Sequence, residues 1–165
     1  MNEIVTSETI TQEWARKNES LGFMLRGAPF DTPIEVVKEV EAQLARVEEL
    51  LRDPSNWCKG ATARCWAGTD CHPDDENAVK WDIVGAIVKA RKNKTRYYGQ
   101  VAHGSPEQIV EVAVQEALWE EDCCKIRGRL SLDYWNDYVA SHADVMRVVQ
   151  RAREIVRLWL IARGA

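Results

Sequence analysis

His72, Asp74 and Asp75 stand almost side by side in the stretch Cys71-His72-Pro73-Asp74-Asp75-Glu76. Imidazole and carboxylate are ligands that zinc accepts, and a site left open at one position would activate water for hydrolysis. Cys71 adds a third metal-ligating type, and a further ligand would have to come from His103, His142 or another cysteine. Cys58, Cys65, Cys71 and His72 could alternatively hold a structural zinc. Their spacing, C-x6-C-x5-C-H, contains no C-x2-C pair that would form half of a tetrahedron in advance. A thiol nucleophile needs a base, and Cys58 with His142 and Asn136 or Asp137 would supply the residue types. All three chemistries converge on residues 57–76 and define one alternative function, a metal-assisted or cysteine-dependent hydrolase.

The pentapeptide His72-Pro73-Asp74-Asp75-Glu76 resembles the HPDDE motif of zinc-dependent deacetylases of the N-acetylglucosaminyl type. That resemblance implies a Rossmann-like domain in which a buried strand precedes the motif, a histidine and an aspartate bind zinc, and another aspartate acts as base. The residues before it, Arg64 to Asp70, do not form an apolar run, and Asn77-Ala78-Val79-Lys80 replaces the glycine pair expected after it. Outside its strand and loop a pentapeptide carries little weight. Asp74 and Asp75 read more simply as caps for a helix beginning near Glu76, with Pro73 in the turn.

A second group is basic: Lys89, Arg91, Lys92, Lys94 and Arg96 are followed by Tyr97 and Tyr98. Cations that neutralise phosphates beside rings that stack on bases would suit a single strand. No nucleic-acid motif surrounds them, and cations also favour the C-terminal end of a helix. Nucleic acid is therefore not the expected partner.

Side chains of either kind must be held by helices. Ile34, Val37, Val40, Leu44, Val47 and Leu51 recur every three or four residues, which predicts a helix capped by Asp31 or Thr32 and stopped by Asp53-Pro54-Ser55-Asn56. Ser105-Pro106-Glu107-Gln108 opens a second, and Ser141 a third that runs through Val145, Val149, Ala152 and Trp159 to Arg163 and Gly164. Shorter helices are expected over 78–91 and 132–138, and a capping box at Thr9 to Gln12 predicts one more, to about Asn18. No alternating run is long enough to argue a sheet. The expected fold is all-α, a single-domain bundle of about five or six helices with one long irregular loop near 54–76. Residues 1–30 are expected to form an N-terminal segment with a short helix, and 31–165 the domain.

Bulk properties agree with one ordinary domain: 165 residues, 45% apolar, 29% charged and a net charge of -4. The longest apolar runs fall short of the roughly 20 residues of a membrane helix, and the N-terminus lacks the pattern of a signal peptide. A cytoplasmic setting follows as the expectation, with five cysteines held as thiols. Acids at Glu35, Glu39, Glu41, Glu48 and Glu49 complement Arg147, Arg151, Arg153 and Arg157, within the chain or across a dimer.

Three further motifs follow in order: Trp57-Cys58-Lys59-Gly60-Ala61, then Ala78 to Ala86 with Trp81 and Gly85, then Trp135-Asn136-Asp137. Together they are similar to an uncharacterised bacterial and phage family, a domain of unknown function with W-x-x-GA, A-x-x-W-x-x-x-GA and WND. The similarity spans about residues 35 to 160 and departs at Asp82, where the family frequently has cysteine. Trp57, Trp81 and Trp135 could line a pocket in which Asn136, Asp137 and His142 offer polar contacts. The leading expectation is a small cytoplasmic binding or interaction protein, of phage derivation, with a protein partner, a homodimer or a small-molecule ligand and no cofactor.

Overall fold

The computed structural model describes residues 32–92, 105–122 and 130–165. Among them are five α-helices: α1 (Ile34–Leu51), α2 (Ile83–Lys89), α3 (Pro106–Asp122), α4 (Leu132–Tyr138) and α5 (His142–Ala162). Two strands, β1 (Ala63–Cys65) and β2 (Ala78–Trp81), pair antiparallel between α1 and α2. The fold is therefore mixed, and the all-α bundle expected from the sequence is corrected: residues 78–91 are a strand followed by a helix, and the loop near 54–76 holds a 3-10 turn at Pro54–Asn56 and the strand β1. The cause is local. Ala63 pairs with Trp81, Arg64 with Lys80 and Cys65 with Ala78, so Val79 is the extra residue of a bulge. Ala78 and Trp81 are buried while Val79 and Lys80 are exposed, which destroys the period-two signal that announces a strand.

The three long helices, α1, α3 and α5, form where the sequence signals predict them. Val37, Val40, Leu44, Val47 and Leu51 give α1 one buried face, packed against α5, which contributes Val145, Val148, Val149, Ala152, Val156 and Trp159. α3 closes the core with Ile109, Val110, Ala113, Val114 and Ala117. Ser141 and Asp144 form a reciprocal capping box at the start of α5. The start of α1 differs from expectation: Pro33 is its N-cap, no side chain caps it, and Arg163 at the far end of α5 donates to the Thr32 carbonyl. Asp31 and the helix expected near Thr9 to Asn18 lie outside the described residues.

The charged faces of α1 and α5 meet within the chain. Arg153 binds Glu41 at 2.7 Å and also Glu48, Arg157 binds Glu41 at 3.0 Å, and Arg151 reaches Glu120 of α3 at 2.7 Å. Burial works against ionisation of Glu41 and Glu48, but the hydrogen bonds and charge of Arg153 prevail and hold both carboxyls below their usual range. Two side chains of α1 also tie down α2: Gln43 donates to the Ile87 carbonyl at 3.2 Å and Arg46 to the Ala90 carbonyl at 2.8 Å. A guanidinium at that end complements the helix dipole. Among the described residues, no helix is long and apolar enough to cross a membrane.

Candidate functional site

The three tryptophan-containing motifs converge on one side chain. Asn136, in α4, is wholly buried. Its carbonyl oxygen accepts from the Trp57 indole N–H at 2.8 Å and from the Ile83 backbone N–H at 3.3 Å, and its amide nitrogen donates to the Cys58 carbonyl at 3.1 Å and to Asp137 at 2.9 Å. An asparagine offers two acceptor sites and two donors, so its full capacity is engaged. Asp137 also accepts from the Gly60 N–H at 2.9 Å, and Lys59 donates to the Ala140 carbonyl at 2.6 Å, its ammonium 5.2 Å from the Trp57 ring. His142 holds the Leu51 carbonyl at 2.7 Å, and its ring lies 5.9 Å from that of Trp57. Trp135 is buried beside Asn136, while the Trp81 indole donates to the Pro73 carbonyl at 3.0 Å. Trp57, Asn136, Asp137 and His142 are thus brought together, with Trp135 beside Asn136 and the Trp81 carbonyl accepting from the Cys58 N–H at 3.1 Å, as a knot joining α4 to the hairpin and to the start of α2.

The glycines explain the spacing. A Cβ on Gly85 would sit 1.7 Å from the Thr62 carbonyl oxygen, so α2 and the chain before β1 touch backbone to backbone. Gly60 has φ +73°, a turn conformation that glycine adopts freely. Asp82 caps α2, accepting from the Gly85 N–H at 2.5 Å. Burial pushes its carboxyl up to about 7, aided by the charges of Asp137 and Asp133 and opposed by the backbone bonds from Gly85 and Val84.

The hydrolase elements are placed differently. His72 accepts the Asp74 N–H at 3.2 Å through Nδ1, and Asp75 accepts from the Asn77 backbone N–H at 2.8 Å. They shape turns leading into β2, and no helix begins at Glu76 for the aspartates to cap. Among the described residues, no three His, Cys, Asp or Glu side chains gather where a metal ion could sit. Burial pushes the Cys71 thiol up to about 11, with contacts to Cys65 acting in the same direction. Burial, then the charge of Asp82, raises the Cys58 thiol to about 11 as well. Its hydrogen goes to the Ala61 carbonyl at 3.3 Å, and it shares no hydrogen bond with His142. At neutral pH Cys58 is a thiol rather than the thiolate that attacks. His103, Cys123 and Cys124 lie outside the described residues.

The described members of the basic cluster meet internal partners. Lys89 lies 5.7 Å from the Trp81 ring, Lys92 3.7 Å from Glu39, and Arg91 3.0 Å from Glu111. Lys94, Arg96, Tyr97 and Tyr98 lie outside the described residues.

Arg91 leads to a cleft between α2, α3 and α4, of about 590 Å³. Val84, Ile87, Val112 and Leu132 give it apolar walls, while Arg91 and Glu111 bring opposite charges to one side. Gln108, Gln115, Ser131 and Asp133 complete the lining among the described residues. Burial raises the Glu111 carboxyl above its usual range, against the lowering charge and hydrogen bond of Arg91. Sequence reasoning saw Arg91 among neighbouring cations and missed the cleft. Its trace was the polar series Gln108, Glu111 and Gln115 at helical spacing along α3.

A family model described as a family of unknown function, DUF6197, matches residues 36–155. No curated protein and no solved structure matches the chain.

Proposed function

The chain belongs to that family of unknown function, and from this premise we propose that it is a binding protein whose small-molecule ligand enters the cleft between α2, α3 and α4. The observation that carries the proposal is the composition of the cleft: apolar walls with a few convergent polar groups, one of them the buried Arg91. Its volume falls in the range of roughly 300–1,000 Å³ common to small-molecule sites. The knot around Asn136 serves as scaffold, fixing α2 and α4 so that their cleft-facing residues keep their places. The thiols of Cys58, Cys65 and Cys71 suit a reducing, cytoplasmic setting.

A thermal-shift screen of a metabolite panel tests this. Compounds that fill the cleft should raise the melting temperature of the wild type but not of Val112→Trp, whose indole would occupy the space. A panel in which every stabilising compound acts equally on both proteins would refute it.

A protein partner or a second copy is the other reading, favoured by exposed aromatic side chains. Tyr134 and Tyr138 stand 4.8 Å apart on the outer face of α4 beside exposed Val139, and Trp66 is 77% exposed. Sedimentation velocity across a concentration series would show an association weakened by Tyr138→Ala; a monomer at every concentration would remove the homodimer.

A further inference from the structure

The Arg91 side chain contains a buried donor that no described residue satisfies. Arg91 is 5% exposed. Its Nη2 donates to Glu111 at 3.0 Å, while its Nε, buried from water, has no hydrogen-bond partner among the described residues. Nε–H and the adjacent Nη2–H form one edge of the guanidinium, the edge that a carboxylate grips with two parallel bonds. Glu111 therefore occupies half of a two-bond seat. A buried donor left unmet costs about 1–3 kcal/mol, and supplying its acceptor gives a ligand a specific advantage. Glu111 is also the more exposed member of the pair: its side chain is 43% exposed, that of Arg91 3%. It can turn to water, whereas Arg91 is held among core residues.

Resting on the cleft reading above, we propose that the ligand is a small monocarboxylate with an apolar body, whose two oxygens take the Nε and Nη2 donors of Arg91 in place of Glu111. The apolar body would lie against Val84, Ile87, Val112 and Leu132. Gln108 and Gln115 could meet uncharged polar substituents. The remaining charges at the cleft are acidic: Asp133 lines it from α4, and Glu107 acts on Glu111 from its own helix. They disfavour a second carboxylate, which is why one acid group is specified.

Three probes of one shape and different charge test the proposal on the full chain: benzoate, benzamide and benzamidine. Titration calorimetry gives affinities, and methyl signals of Val84, Ile87 and Val112 report where each probe sits. Benzoate should bind saturably at those methyls, at least about tenfold more tightly than benzamide, the worth of one charge-assisted hydrogen bond. Glu111→Gln, on a half-exposed side chain, removes the competing carboxylate and should tighten benzoate by about threefold to tenfold. Arg91→Lys keeps the charge without the fork and should weaken it. If Arg91→Lys does not fold, Glu111→Gln still decides. Benzamide or benzamidine equalling benzoate at these methyls, or Glu111→Gln weakening benzoate, overturns the carboxylate proposal and leaves the cleft reading standing. Failure of all three probes to move the methyl signals overturns both.

Discussion

Asn136 shows how much one buried amide can organise. Replacing it with alanine would leave the Trp57 indole, the Ile83 N–H and the Cys58 carbonyl without their partner. Orphaned buried groups cost about 1–3 kcal/mol each, so Asn136→Ala should lower the unfolding free energy by about 3 kcal/mol or more in urea titrations; a loss within error of zero would contradict the knot. Asp82 makes a prediction in pH. Its folded pKa of about 7 lies above the roughly 3.9 of an unfolded aspartate. The native state thus holds a proton that the unfolded chain has released, and stability must fall as pH rises between those values. Asn caps a helix about as well as Asp. Asp82→Asn should therefore melt higher than wild type at pH 8, with the difference shrinking toward pH 4. A constant difference across that range would exclude Asp82 as the source.

At the scale of elements, the sharpest constraint is the contact of α2 with Thr62. A methyl group on Gly85 has no room there, and since the obstacle is backbone, relief requires moving α2 or the hairpin. Gly85→Ala should cost about 3 kcal/mol or more, at the severe end of overpacking, whereas Gly68→Ala, which meets nothing within 4 Å, carries only the strain of its φ of +82°. Chemical denaturation of the two variants checks the order. The ladder between α1 and α5 yields a milder prediction. Glu41→Gln removes the carboxylate that serves Arg153 and Arg157 and should cost about 1–2 kcal/mol above pH 5, fading as acid protonates the wild-type carboxylate. The long helices were legible in the sequence because their buried residues recur over several turns. The sheet was not, since strands of three and four residues interrupted by a bulge leave no period to detect. Spacing cannot reveal that Asn136, in the WND motif, bonds to Trp57 from across the chain. Arg91 was visible as a charge; its partner on α3 was not.

Across the described residues one apolar core joins every helix and strand: α1, α3 and α5 supply most of it, whereas the hairpin adds only Ala63, Ala78 and Trp81. Stability should be uneven accordingly. Amides of α1 and α5 should exchange with deuterium only on global unfolding, and those of residues 63–81 by a lower-energy local opening. Equal protection in both regions would show that the hairpin and core unfold as one. The knot also has a consequence in time. Asn136 lies 79 positions along the chain from Trp57 and 53 from Ile83, and contacts so distant form only after the entropy of closing the intervening chain has been overcome. During synthesis, the early tryptophan must wait, its indole unshielded, until α4 has left the ribosome; chaperone capture of nascent chains would be most productive in that interval.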